Sequence, residues 1–267
     1  GGSGSGASVS VALVNSNILA SGDQSSAIVI QTNGTGSAAI SLDAQSSVVG
    51  GATSTTGAIP VAAIHIQQGS GNSITNAGKI AASGSLNLTA VLSDAAVQIT
   101  NTGTITGAIV TAGNGSTLAN GVGGVLDPGA TIALGAGGRM VNAGTLHLGG
   151  VRTIGSTTVT GNLSGPGRIV FDADFVQGVS DKLIVNGSAE IAGVIEVNPS
   201  TMRNARLALV SASGGVTLDP ALAATQSANQ LFTYRFTSDG TTLYAAPQAQ
   251  FEQASSGLGE ARAAVGI

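Results

Sequence analysis

Polar and apolar residues alternate along most of this chain in short bursts. "AIVIQ" at 27–31, "AIHIQ" at 63–67, "SLNLTA" at 85–90 and "AVQIT" at 96–100 each alternate with period two, bounded by Gly, Ser, Asn or Thr. This is the signature of short strands with one buried face, because successive side chains of a strand point to opposite sides. A second pattern interleaves with the first. "ITNAGKIAASG" at 74–84 is rewritten as "ITNTGTITGA" from Ile99 and more loosely as "MVNAGTLHLGG" from Met140. Each copy has two β-formers, an Asn, a small residue, a Gly and then an alternating run.

The motif aligns Asn76, Asn101, Asn120 and Asn142, separated by 25, 19 and 22 residues, with Asn15-Ser16-Asn17 as an earlier relative and a further turn expected near Asp43. A period near twenty with two or three short strands per period is what a coil of a parallel β-helix requires. Successive coils stack at the strand spacing of ~4.8 Å. The sequence therefore predicts an all-β chain built as a right-handed parallel β-helix, a solenoid, with a C-terminal β capping unit. Corners need backbone at positive φ, which Gly adopts freely and Asn tolerates, so Asn76, Gly78, Asn101, Gly103, Asn120, Asn142 and Gly144 are assigned to corner turns. The asparagines are expected to form a side-chain ladder down one corner, with Ile74, Ile80 and their counterparts as stacked core. A β-sandwich is the alternative, but it predicts hairpin turns every 8–12 residues without a long-range period.

Composition narrows this further. Among 267 residues, apolar types make up 42%, aromatics only 3% and charged residues 8%, with 41 glycines and no cysteine. Abundant Val, Ile and Leu argue against disorder, and small inward side chains suit a narrow lumen. Nine basic residues, never clustered, cannot form a phosphate-neutralising stripe, so nucleic acid is not an expected partner. No apolar run approaches the ~20 residues of a membrane-crossing helix, and no signal peptide is read at the start.

The texture changes near Gly150. Of 13 carboxylates only Asp23, Asp43, Asp94 and Asp127 lie in the first 150 residues, and all but one of the five phenylalanines and both tyrosines follow Asp174. The expected organisation is a flexible linker or expression scar at 1–8, β-helix repeats at 9–160, a C-terminal β-helix cap at 161–247 and a linker or short helix at 248–267. A cap is physically required because a terminal coil would expose its core and its unpaired strand edge.

Within that capping unit, "NLSGPGRIVF" at 162–171, "SDKLIVNGSAEIAGVIEV" at 180–197 and "FTYRFTSDGTTLYAAP" at 232–247 resemble the C-terminal, pertactin-like or autochaperone region of autotransporter passengers of Gram-negative bacteria. The second stretch carries the family's Ser-Asp-x-Leu-x-Val-x-Gly pattern in Asp181, Leu183, Val185 and Gly187, with Gly193 opening the next strand. The third is similar to its closing hairpin, with Asp239-Gly240 at the turn. The resemblance implies a passenger on the cell surface, outside the outer membrane, or secreted, exported as an extended chain with a C-terminal unit that folds first. Its implied partners are its own membrane β-barrel and the outer-membrane assembly machinery. A host-cell, glycan or self-association surface is a further possibility. The absence of Cys is consistent with passage through a narrow pore.

A search for chemistry finds no catalytic, metal or cofactor residues to assign. Asp172 and Asp174, two apart on one strand face, are the sole candidate carboxylate pair, but they read as solvated turn acids. His65 and His147 alternate with aliphatics, are expected to point outward, and lack the acids a zinc site needs. "GVGG" at 121–124 and "GAGG" at 135–138 lack the following helix of a phosphate loop and read as turns. The functions to weigh are therefore a non-enzymatic passenger serving adhesion, aggregation or display, a stalk fragment of an enzyme-bearing passenger, and a carbohydrate-active β-helix.

Overall fold

The structure, a computed structural model, describes residues 6–22, 24–32, 34–51, 61–150, 152–223, 226–229 and 232–249. The start of the expected linker at 1–5 and the expected helix or linker at 250–267 lie outside the described residues.

Strands follow one another in threes. Val9–Leu13, Asn17–Leu19 and Ile28–Gln31 make the first coil, and Ala38–Leu42, Ser47–Gly50 and Ile64–Gln67 the second. The strands of successive coils stack in parallel into three sheets of nine, nine and eleven strands, the second and third of which also take in antiparallel strands. This is a parallel β-helix. Apolar residues recur at fixed register in each wall. In the first sheet Ile40, Ile74, Ile99, Leu118, Met140 and Leu163 lie one above the next. The second stacks Val48, Ile80, Ile105, Leu126, Leu146, Ile169 and Ile195. The third stacks Ile28, Ile64, Val91, Ile109, Ile132, Val159 and Val185. All of these are buried. Full burial of one such side chain stabilises by ~1.5–3 kcal/mol, so each coil contributes several such terms to a shared core.

The Asn-x-Gly corners have a different cause from the expected one. Neither the four asparagines nor Gly78, Gly103 and Gly144 adopt positive φ; of the aligned asparagines only Asn15 does, at 47°. Glycine is required by the coil beneath. A Cβ on Gly103 would lie 2.1 Å from the carbonyl oxygen of Gly78, and one on Gly144 2.2 Å from that of Gly124. The period-two pattern could not reveal this, because the obstructing atom belongs to a residue one coil away. Gly103→Ala is accordingly expected to cost roughly 2 kcal/mol or more, since backbone on both sides must shift. Gly137→Ala, where φ is +69° but no atom lies within 4 Å of the added Cβ, should cost only about 1 kcal/mol of left-handed strain. Urea unfolding of the two variants compares the costs; equal costs would refute the stacking explanation.

One other sequence reading is revised. "SLNL" is not a strand: residues 85–88 form a turn closed by Leu88 N–H donating to Ser85 O at 3.0 Å, and the strand is Thr89–Ser93. The leucines alternate because the excursion lies along the outside of the stack, with Leu86 brought against Gly129 and Gly150 of later coils. The parallel stacking continues across 160/161 into the residues read as the β-helix cap. Asn162–Ser164, Arg168–Asp174 and Lys182–Asn186 make an ordinary coil, and Ala189–Ile191, Val194–Thr201 and Leu207–Ala212 another.

Antiparallel pairing appears briefly where Val179–Ser180 turns back on Ala173 and Asp174, and takes over at the end. Thr242–Ala249 pairs antiparallel with Leu207–Ala212, and Phe232–Ser238 pairs back on Thr242–Ala249. The Asp239-Gly240 turn joins these two strands. Asp239 accepts from the N–H groups of Thr241 and Thr242 and from the Tyr244 hydroxyl, and these hydrogen bonds hold its carboxyl down at about 2. The Arg206 guanidinium stacks 3.5 Å over the Tyr244 ring, fastening the hairpin to the last coil.

Candidate functional site

The asparagines form a continuous internal ladder. Asn76 Nδ2 donates to Asn101 Oδ1 at 2.7 Å, Asn101 to Asn120 at 2.8 Å and Asn120 to Asn142 at 2.8 Å. Each amide also donates to nearby corner carbonyls; Asn101, for example, reaches Gly103 O at 3.1 Å and Val125 O at 3.3 Å. The last rung, Asn142, ends on Arg168 O at 3.1 Å. All four side chains are buried, so this repeated polar feature is part of the core, and no rung faces a ligand.

The cap-motif residues divide in two. Leu183 and Val185 face the core of the third sheet. Gly187 and Gly193 are held to glycine by close approach, with an added Cβ 2.4 Å from Gly161 O and 2.1 Å from Pro166 O; Gly193 also sits at φ +79°. Asp181 is different. It is only 1% exposed, yet it is a carboxylate. One oxygen accepts from Gly155 N–H and the other from Asp172 N–H, both at 2.7 Å, so it ties the segment before the strand Ser156–Thr160 to the strand Arg168–Asp174.

Burial pushes the Asp181 carboxyl up to about 6, against the pull of those two N–H donors and with help from the nearby Asp172 charge. The sign follows from the proton count. Between 3.8, the ordinary value, and about 6, the folded chain holds a proton that the unfolded chain has released. Stability from this group therefore falls as pH rises through that window and is lowest above it, by about 3 kcal/mol at most. Melting temperatures measured between about pH 5 and about pH 7 should decline with pH, and Asp181→Asn should flatten the decline. A slope unchanged in that variant would assign the effect elsewhere.

The two acids considered as a catalytic pair have separate roles. Asp174 is nearly buried and caps the turn that follows its strand, accepting from Gln177 N–H at 2.8 Å, Val176 N–H at 3.0 Å and the Thr201 hydroxyl. These bonds, the Thr201 hydroxyl first, hold its carboxyl below the usual range. Asp172 instead lines a cavity of about 670 Å³ on the outer wall of the second sheet. Asp174 does not contribute to that cavity. The structure thus does not bring the pair to a common site.

The histidines also part company. His65 lies on the outer alternation of its strand, since Ile64 and Ile66 face the core, but it is only 5% exposed, with Nε2 3.1 Å from the Asp94 carboxylate in the next coil. The expected outward histidine is therefore covered and engaged. His147 joins Asp172 in the cavity wall, with Arg152, Glu196 and Asn198. Parallel register places Val170 beside His147 and Glu196 beside Val170, so the wall is assembled from three successive coils. Glu196 is paired with Arg168. Sequence reasoning missed this cavity because its residues are scattered from 147 to 200 and carry no motif.

The fold and its walls define a capped, cysteine-free parallel β-helix solenoid. No family model matches the chain, and no curated protein sequence matches it.

Proposed function

We propose that this chain is a non-enzymatic passenger segment of an autotransporter, displayed on the surface of a Gram-negative cell or released from it, and acting in adhesion, aggregation or display. The observation that carries this reading is the asymmetry of the stack. Each coil presents a parallel edge to the next, and the C-terminal end is closed by an antiparallel hairpin over an aromatic cluster of Phe175, Tyr234 and Phe236. Such a closed end supports a unit that folds first and offers a template edge to the coils before it, which suits a chain emerging C-terminal end first. The lack of Cys and the "SDKLIVNG" pattern support the same reading. Its partners in export would be its own membrane β-barrel and the outer-membrane assembly machinery.

The test is topological. In intact Gram-negative cells producing the complete reading frame, externally added proteinase should remove an epitope inserted at Val122, an 83% exposed corner residue, while a periplasmic marker survives. An epitope digested only after lysis would overturn the reading.

A further inference from the structure

We propose that the cavity on the outer wall of the second sheet is a binding site for a neutral saccharide unit. This goes beyond the export reading and does not depend on where the protein resides.

The first observation is shape. Elsewhere the wall strands are short; Thr104–Thr106, Val125–Asp127 and Thr145–His147 have three residues each. Arg168–Asp174 and Val194–Thr201 have seven and eight, so they project past the strand before them as a two-stranded ledge. The cavity of about 670 Å³ lies where that ledge meets the end of Thr145–His147 and the segment held by Asp181. Its size falls in the range of small-molecule sites.

The second observation is which polar groups are free. Asp174, Asp181 and Glu196 are engaged in hydrogen bonds or an ion pair within the fold. Asp172, His147, Arg152 and Asn198 converge on the cavity, and among the described residues their side chains make no hydrogen bond. His147 feels the Asp127 carboxylate and Asp172 that of Asp181, but neither spends a hydrogen bond there, so four polar side chains with free hydrogen-bonding capacity surround one concavity and form a recognition set.

The third observation selects the ligand class. An anion such as phosphate would meet Arg152 but also the Asp172 and Asp181 carboxyls. A divalent cation needs several oxygen ligands and would find only Asp172 as a free carboxylate, with Arg152 opposing it. A polyol uses both signs of partner. The planar Asp172 carboxylate and Asn198 amide can each meet a pair of neighbouring hydroxyls, His147 and Arg152 can donate, and Ile154, Val170 and Pro199 provide an apolar floor for the C–H face of a ring.

The full chain, labelled with nitrogen-15, should be titrated with the methyl glycosides of glucose, galactose, mannose and N-acetylglucosamine and with cellobiose and maltose. At least one should shift the amides of His147, Val170 to Ala173 and Asn198, with Kd on the order of 1 mM. The double variant Asp172→Ala/Asn198→Ala should weaken that binding at least about tenfold without lowering the melting temperature, because neither side chain makes a hydrogen bond in the fold and loss of the Asp172 charge only relieves Asp181. Asp172→Asn, which keeps an acceptor, should retain most of it. The proposal is overturned if no saccharide moves these amides, if the double variant binds as the parent does, or if inorganic phosphate or calcium chloride produces the larger shifts.

Discussion

Asn101→Ala is expected to lower the unfolding free energy by roughly 3–5 kcal/mol, among the largest effects of any single polar substitution in the chain. Asn101 is fully buried and holds both ends of its amide in use: Oδ1 accepts from Asn76, and Nδ2 donates to Asn120, Gly103 O and Val125 O. Truncation leaves the buried Asn120 oxygen without its donor, takes one donor from each of two part-buried carbonyls and opens a small void. An unsatisfied buried group costs ~1–3 kcal/mol, and the void adds to it. The first rung provides the contrast. Asn76 donates to the ladder but receives from its own corner, through Gly78 N–H at 3.2 Å, and the residues stacked before it are Leu42 and Leu13. An apolar side chain already occupies this column where no amide precedes it. Each of the two side chains has four hydrogen-bonding partners, so the polar loss alone does not separate them. Asn76→Leu should nevertheless cost less than Asn101→Leu by ~1 kcal/mol or more, because the new leucine packs in register on Leu42, whereas at position 101 it would lie between the amides of Asn76 and Asn120. Urea unfolding of the two variants gives the order, and equal costs would mean that the apolar residue beneath Asn76 gives no relief.

That column shows where sequence reading succeeds and where it stops. The apolar stacks were legible because inward Ile, Val and Leu recur within each strand and again at each coil, so two periods agree on the same residues. The Asn-x-Gly unit was legible as a corner, but its cause lay in the preceding coil: Gly103 is fixed by Gly78 O, and Asn101 by Asn76 and Asn120. Local alternation misplaced "SLNL" because leucines laid along the outside of a solenoid alternate as regularly as those of a strand. Asp181 stood within a recognisable pattern, yet nothing in that pattern indicated a buried carboxylate, since its donors lie 26 and 9 residues away. The outer-wall cavity was the least legible feature. It depends on two strands being a few residues longer than their neighbours, a property of boundaries, which periodicity fixes poorly.

Removing the chain from Pro220 onward is expected to abolish a monomeric folded state. The deletion strips the antiparallel partner from Leu207–Ala212, exposing a parallel sheet edge of the kind that recruits other chains. It also removes Tyr234 and Phe236 and so uncovers Phe175. Phe175, Tyr234 and Phe236 are each no more than 2% exposed, with centroids 5.9 Å apart for Phe175–Tyr234 and 6.4 Å for Tyr234–Phe236. Leu243 and Ala245, fully buried in the partner strand, complete the contact. A graded test separates packing from edge protection. Phe236→Ala keeps the hairpin's backbone pairing but should cost ~3–5 kcal/mol through the cavity it leaves. Arg235→Ala, on the exposed face of the same strand, should stay within about 0.5 kcal/mol of the parent. Size-exclusion chromatography and urea unfolding of the three proteins read these outcomes. A truncated chain that remained monomeric with the parent's unfolding midpoint would show that the coils close themselves, and the hairpin would lose its role as the end from which the stack is built.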